Sequence, residues 1–501
     1  MAIFGLQIII SLVVFCFLTK LTKYYSFGRW LLCKGLFCYW PPTNDEFKQA
    51  IKQRYAKEST TKSKKQSNIS KSSYSKNSST RSNETSNPNE EFPIPTDTSV
   101  ELKLIPIVHQ DVILVKYVDE FFSLVDFISG SIVIFILTEI YFLVIPLIRH
   151  NNEHLNEINL SLFWCSVSIL LASLALTKFV REYLKVDEGI LCILFGALSF
   201  FLALCLQYLD EKFFIFHLKE TYGNRTIVYD DDNDEERNIL DRKFIYIVML
   251  LAFINAYQTI ILFFPAFRFG QLQYLFLIKS STKKTFKQIV IFSLTIVNFA
   301  SPIFICLLWF KPIIQHFNDD DLLLKLRLVT IIMSLILRLC LFRPYTQIYL
   351  DTAFDRVKVL YDQQQSTSAR VTNVSYQRSV TSIFYYLGVV VSQYILPIFI
   401  ELIICFYLKI FSANNYSLTL TSSPPKWLQY LDDYLQNSTE TNSSIVSTWD
   451  EVKIFLNNKY LFVILSYILF WHHAIFCLIS CGSLIYNTYI QREQHVNDKN
   501  D

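Results

Sequence analysis

Five ionisable side chains lie inside long apolar runs: Glu139, Arg338, Glu401 and the adjacent pair His472-His473. A charge at the centre of a bilayer costs roughly 2.5–3.5 kcal/mol on insertion scales, so such groups face one another or water. Counted from the outer helix ends at about 1.5 Å per residue, Glu139 and Glu401 lie about 12 Å deep. By the same arithmetic Arg338 and the histidines lie about 16–18 Å deep, so the five fall in one layer. Two kinds of chemistry are open to such a layer. Arg338 bridged to Glu139 or Glu401 would lock helix packing; a layer reached by water would make an ion path or a proton-sensitive gate.

Other chemistries find no support in the sequence. It has no H-E-x-x-H, no Gly-rich phosphate loop and no spaced Cys/His set, and two neighbouring histidines on a helix point about 100° apart. No enzymatic activity, cofactor or metal site is expected. The 11 cysteines include no C-x-x-C pair and sit mostly in apolar runs, as Cys165, Cys192, Cys205, Cys306 and Cys340 do. They read as small apolar residues. A net charge of +3 is too small to point to nucleic acid as a partner.

The elements that must hold the charged layer are membrane helices. The chain has 501 residues, 52% hydrophobic and only 18% charged, with mean hydropathy +0.31. The apolar residues are gathered into runs near the ~20 residues that cross a bilayer. Nine spans are expected: Ala2–Thr19, Leu124–Leu147, Leu160–Thr177, Gly189–Leu209, Phe244–Phe264, Gln288–Phe310, Arg327–Phe342, Val380–Leu408 and Tyr460–Tyr486. Period-two alternation is absent, so the backbone must satisfy itself as helix, giving an all-α polytopic fold. The first run has a second reading, as a signal peptide followed by eight spans. Against it, no basic residue precedes the run, and Thr19-Lys20-Leu21-Thr22-Lys23 is a poor cleavage site. Pro265, Pro302 and Pro397 lie in or beside spans, where they kink helices or end them.

Five regions follow: residues 1–23, a first helix or signal peptide; 24–56, an interfacial segment rich in aromatic and basic residues; 57–100, a disordered linker; 101–486, a helical membrane domain of eight spans; and 487–501, a polar tail. The linker is dominated by Ser, Asn, Lys and Thr, and offers almost no apolar surface to offset the entropy of ordering it. No internal repeat is evident, which weighs against an inverted-repeat transporter.

Basic residues set the orientation. Lys20, Lys23, Arg29 and Lys34 follow the first span; Lys178, Arg181 and Lys185 follow the third. Arg268, Lys279, Lys283, Lys284 and Lys287 follow the fifth, and Arg343, Arg356, Lys358, Arg370 and Arg378 the seventh. These loops are placed in the cytosol, with an outside N-terminus and a cytosolic C-terminus, in the plasma membrane or membranes of the secretory pathway. Glycosylation acceptors Asn224, Asn415, Asn437 and Asn442 fall in outside loops, while Asn68, Asn77, Asn83 and Asn373 also head valid sequons in inside loops.

Several local patterns recur in order along the chain. Tyr25-Ser26-x-x-Arg29-Trp30-Leu31-Leu32-Cys33-x-Gly35 follows the first span, and Thr138-Glu139-Ile140-Tyr141 lies in the second. Ser161-Leu162-x-Trp164-Cys165, Lys185-Val186-Asp187-Glu188-Gly189 and Phe264-Pro265-Ala266-x-Arg268 come next. Asn298-Phe299-x-x-Pro302 with Leu308-Trp309-x-Lys311-Pro312-Ile313, and Phe384-Tyr385-Tyr386-Leu387 with Gln393-Tyr394 and Pro397, complete the set. In this order they resemble the transmembrane protein 161 family across nearly the whole chain; the Ser/Asn linker and His472-His473 stand outside the pattern. The resemblance implies a multi-pass, non-catalytic membrane protein of animals that regulates membrane excitability through potassium and calcium currents. Its implied partners are the lipid bilayer and ion channels, and the oligomeric state stays open. Because Glu139 belongs to a matched pattern, it is the expected partner of Arg338.

A tag placed after Asp501 should be reached by antibody only once cells are permeabilised, and Asn437 or Asn442 should carry glycan. Glycan on Asn68, Asn77 or Asn83 would instead place the early loop outside.

Overall fold

The computed structural model describes residues 5–22, 24–65, 91–95, 102–148, 160–183, 188–214, 216, 234–280, 286–314, 320–367, 370–416 and 458–500. In chain order these form α1 (Gly5–Leu21), α2 (Phe27–Cys33), β1 (Phe37–Trp40), α3 (Asn44–Lys65), β2 (Lys103–Pro106), α4 (His109–Val112) and α5 (Val118–Ile148). There follow α6 (Leu160–Tyr183), α7 (Glu188–Phe213), α8 (Asp234–Ser280), α9 (Phe286–Leu307), α10 (Lys311–Ile314) and α11 (Asp320–Cys340). The last are α12 (Phe342–Thr367), α13 (Asn373–Tyr385), α14 (Leu387–Tyr416) and α15 (Asn458–Asn500). Chain contacts divide them into two units: residues 1–28, 119–342 and 389–501, and residues 29–118 and 343–388.

The first unit is the polytopic helical body. Among the described residues seven helices are long and apolar enough to cross a bilayer: those of α5, α6, α7, α8, α9, the α13–α14 run and α15. Lipid takes the place of water here, so large apolar side chains point outward, as Leu143, Ile190, Leu194 and Phe201 do. Pro265, Pro302 and Pro397 all lie within helices rather than at their ends. The fifth expected span is much longer than its apolar run, since α8 continues through Pro265 to Ser280. Near its start the body also holds α1, a shorter apolar helix. Its Phe15 packs on Phe127 and on the edge of Trp164.

Arg327–Phe342, the seventh expected span, falls mostly in α11, which ends at Cys340 and carries Lys325, Arg327 and Arg338. Packing direction nevertheless makes α11 a crossing helix. Helices α8 and α15 run parallel: Gln258 meets His472, and about two and three turns on Ser480 bonds the Ala266 carbonyl and Ser483 that of Phe267. Helices α5 and α14 are parallel too, with Phe135 stacked on Phe406 and Glu139 on Lys409. Parallel helices need an odd number of crossings between them. Between α8 and α15 lie α9, α11 and α14; between α5 and α14 lie α6, α7, α8, α9 and α11. Both counts are odd only if α11 crosses. Its lipid-facing stripe Leu322, Leu326, Val329, Met333 and Ile336 repeats at helical spacing, while Ile331, Ser334, Leu335 and Arg338 face inward.

Glycine permits the closest of these approaches. A Cβ on Gly270 of α8 would overlap the Ser480 carbonyl oxygen and lie 2.8 Å from Ser483 Cβ of α15. With hydrogen there instead, the backbones come together and Ser480 and Ser483 hydroxyls donate to α8 carbonyls at 3.0 and 2.6 Å.

The second unit corrects three expected boundaries. Part of 101–486 is not membrane helix: β2 pairs antiparallel with β1 of the 24–56 segment, Phe37 opposite Pro106 through Trp40 opposite Lys103. The linker is ordered at both ends, since α3 runs to Lys65 and residues 91–95 dock, with Ile94 buried and its N–H donating to Val371 O at 2.8 Å. Composition missed these ends because a few apolar residues, Phe92 and Ile94, are enough to anchor a short strand. The core is Phe47 edge-on to Tyr376 at 5.2 Å. Gln347 completes the β1 edge, accepting from Phe37 N–H at 3.0 Å and donating to Phe37 O at 3.1 Å.

Asn373 heads a valid sequon, but its side chain is wholly buried, accepting from Phe92 N–H at 3.0 Å and donating to Asn44 Oδ1 at 2.9 Å. Asn415 falls in the last turn of α14. Asn68, Asn77, Asn83, Asn224, Asn437 and Asn442 lie outside the described residues. Nearby, an ion pair with Lys103 holds the Glu46 carboxyl below the usual carboxylate range, and burial pushes the Cys38 thiol up to about 11.

If α11 crosses the bilayer, cysteines introduced at Lys325 and at Lys358 will gain label from opposite sides with a membrane-impermeant thiol reagent, relative to the parent protein. Labelling of both from one side would remove α11 from the spans.

Candidate functional site: a buried charge cluster

Four of the five ionisable residues meet. Helix α11 supplies Arg338, α14 supplies Glu401 and α15 supplies both histidines, and all four are essentially inaccessible, with side chains 1–3% exposed. Arg338 Nη1 lies 3.2 Å from Glu401 Oε1, and His472 Nε2 lies 2.8 Å from the same oxygen. His473 Nε2 stands 3.7 Å from Oε2. The 100° between successive helical side chains does not keep the histidines from one target. Glu401 projects from the facing helix into the notch between the rings, whose centroids are 5.9 Å apart.

Each member is oriented by a second contact. The amide nitrogen of Gln258, from α8, lies 2.9 Å from His472 Nδ1, and His473 Nδ1 lies 2.9 Å from the Leu469 carbonyl one turn back. The Arg338 guanidinium lies over the Phe476 ring at 4.4 Å and near Phe269 at 5.7 Å, a cation–π arrangement that partly replaces lost hydration. Arg338 is close to the end of α11, where backbone carbonyls lack helical partners; Tyr394 of α14 donates its hydroxyl to that of Arg338 at 2.8 Å. Trp471 donates its indole N–H to Asn255 O and Thr259 Oγ1, holding α15 on α8 beside the cluster.

Glu139 is a correction. It pairs with Lys409 at 2.9 Å, not with Arg338, and both side chains are partly open, 28% and 60% exposed. The pair sits five and three residues from the ends of the spans Val118–Val144 and Asn373–Ser412. This is about one turn from the ends of the apolar spans. Depth alone could not give the partner, because α5 and α14 run parallel and their packing brings Glu139 to Lys409. Glu139 therefore meets the basic residue that closes α14 instead of the interior of α11.

Sequence reasoning on charges overlooked the neutral polar shell. Asn255, Gln258, Asn298 and Gln393 are buried, and each has at least one side-chain polar atom with no hydrogen-bond partner. Amides inside apolar runs are the signal that would have found them. Asn298, Gln393 and Tyr394 did stand in the family-like patterns, and Ser301 bonded to Ser334 at 2.7 Å sets α9 against α11 so that Asn298 and Arg338 fall one turn along on the same side.

Chemically, Arg338 and Glu401 form a charge-balanced pair, with two imidazoles as further donors or bases on one carboxylate. Removing one partner of a buried pair strands the other in low dielectric. Arg338→Leu should therefore cost about 3–5 kcal/mol of stability in detergent, and Glu401→Gln in the same chain should recover much of it. Glu139→Gln should not. Additive losses in Arg338→Leu/Glu401→Gln would show that the two do not depend on each other.

No solved structure matches this chain. A family model described as predicted transmembrane protein 161AB matches residues 2–491, nearly its whole length, and the chain therefore belongs to that family of multi-pass membrane proteins.

Proposed function

We propose that this protein is a non-catalytic regulator of membrane electrical behaviour, acting on potassium and calcium currents through other channels. The currents come from the family resemblance. The observation that carries the choice of regulator over conductor is the sealed state of the mid-membrane charges. Arg338, Glu401, His472 and His473 turn toward one another and are covered by Phe269, Phe476 and Tyr394. A conduction path needs wet groups weakly held, so that an ion enters and leaves. A charge-balanced, buried pair is instead a device for fixing helix packing. The lipid-facing helices α5, α6, α7, α9 and α11 offer a broad apolar surface to partner spans in the bilayer.

In this reading the basic ends of α6, α8 and α11 face the cytosol together with the C-terminus, following the positive-inside rule. The membrane is the plasma membrane or one of the secretory pathway, and the outside loops carry the glycan.

Purified protein reconstituted into liposomes should pass neither potassium nor calcium above empty vesicles, while its removal from excitable cells should change both currents. Flux from the purified protein alone, lost in Glu401→Gln, would make the cluster part of a pore and replace regulation with conduction.

A further inference from the structure

The two oxygens of Glu401 are used unequally. Oε1 holds Arg338 at 3.2 Å and His472 at 2.8 Å, whereas Oε2 has no hydrogen-bond partner and faces His473 Nε2 across 3.7 Å. That ring nitrogen is likewise without a hydrogen bond. The tautomer explains the gap. His473 Nδ1 lies 2.9 Å from the Leu469 carbonyl, which only accepts, so the proton of a neutral ring sits on Nδ1 and Nε2 turns a lone pair toward Oε2. Two acceptors then face each other in a low-dielectric interior with nothing to donate between them, an arrangement that is costly to keep.

His472 differs. The Gln258 amide donates to its Nδ1 at 2.9 Å, which leaves the proton on Nε2, directed to the side of the carboxylate 2.8 Å away. Nε2 of His472 makes no aligned hydrogen bond either, but in this tautomer it carries a proton beside the carboxylate, whereas Nε2 of a neutral His473 carries none.

We propose that the gap between Glu401 Oε2 and His473 Nε2 is a proton-binding site in the middle of the membrane. One proton from water forms an N–H bond on Nε2 and is shared with Oε2. Closing the contact to the ordinary charge-assisted range of about 2.8 Å takes a shift of roughly 0.9 Å between the His473 ring and the carboxylate. The charge of the cluster rises from zero to +1. The site is faced by Arg338 from α11, by Cys405 beside Glu401 on α14, and by His472 and Cys477 on α15, with Cys306 of α9 next to Cys477. Buried amides with unpaired polar atoms lie on three of the surrounding helices: Asn255 on α8, beside Trp471, Asn298 on α9 and Gln393 on α14, about two turns from Glu401. The proposal does not rest on the regulatory reading, because it holds for a conductor as well.

The test is nitrogen NMR of the full-length protein in lipid nanodiscs, with ¹⁵N-labelled histidine, titrated from about pH 8 to about pH 5 where imidazoles change charge. Among the eight histidine rings, one should begin in the Nδ1–H form and pass from it to the doubly protonated form. That change should vanish in His473→Gln, persist in His472→Gln, and move by one pH unit or more toward acid in Glu401→Gln. His473→Asn serves the same purpose should His473→Gln fail to assemble. A titration that survives loss of His473, or that disappears with His472 instead, would overturn the assignment. So would a spectrum in which no ring lost with His473 changes protonation over the range.

Discussion

A carboxylate buried inside a membrane body must be met by positive charge or by hydrogen-bond donors, and Arg338 of α11 and the histidines of α15 gather around Glu401. This requirement orders much of the helical body. It sets the face that α14 turns inward, fixes the rotation of α11 through Arg338, and brings α15 round so that both histidines reach one acid. The aromatic rings of Phe269, Phe476 and Tyr394 then close the pocket, by packing on the guanidinium and by capping the carbonyl that the end of α11 leaves free. An arrangement of this kind is specific more than it is strongly stabilising, since desolvation offsets much of the attraction.

The second constraint is the direction in which helices pass each other. Without a hydrophobic drive between helices in lipid, association rests on close packing and hydrogen bonds. The parallel pair α8 and α15 shows both, with Gly270 admitting the opposing backbone and serine hydroxyls reaching across to carbonyls. Such a pair is possible only because an odd number of helices separates its members, and α11 is therefore a span despite its charges. The same alternation puts the starts of α5 and α14 on one side, and residues 29–118 and 343–388 fold into a unit of their own. There the usual water-soluble rules return: apolar Phe47, Tyr376 and Ile94 point inward, and lysine and glutamate remain outside as the Glu46–Lys103 pair.

Much of this was legible in the residues alone. Helical class, the apolar runs and the inward placement of Arg338, Glu401 and the histidines all follow from what each side chain costs in hydrocarbon, a local property of single residues and of windows about twenty long. The family resemblance was legible for a similar reason, as short patterns in fixed order. What the residues left open was partner choice. Arg338 had two candidate acids at similar estimated depth, and the decision for Glu401 over Glu139 depended on which helices are neighbours and which way they run.

The order of the chain therefore determined that this protein lies in a membrane, roughly where its spans fall, and which charges must be hidden. Tertiary structure alone decided that His472 and His473 converge on one carboxylate, that the apparent linker contributes Phe92 and Ile94 to a folded unit, and that the sequon at Asn373 is closed by Phe92 and Asn44. The reason is physical. Transfer cost is paid residue by residue and can be read from composition, whereas a contact depends on the relative rotation and direction of helices far apart in sequence, such as the 63 residues between Arg338 and Glu401.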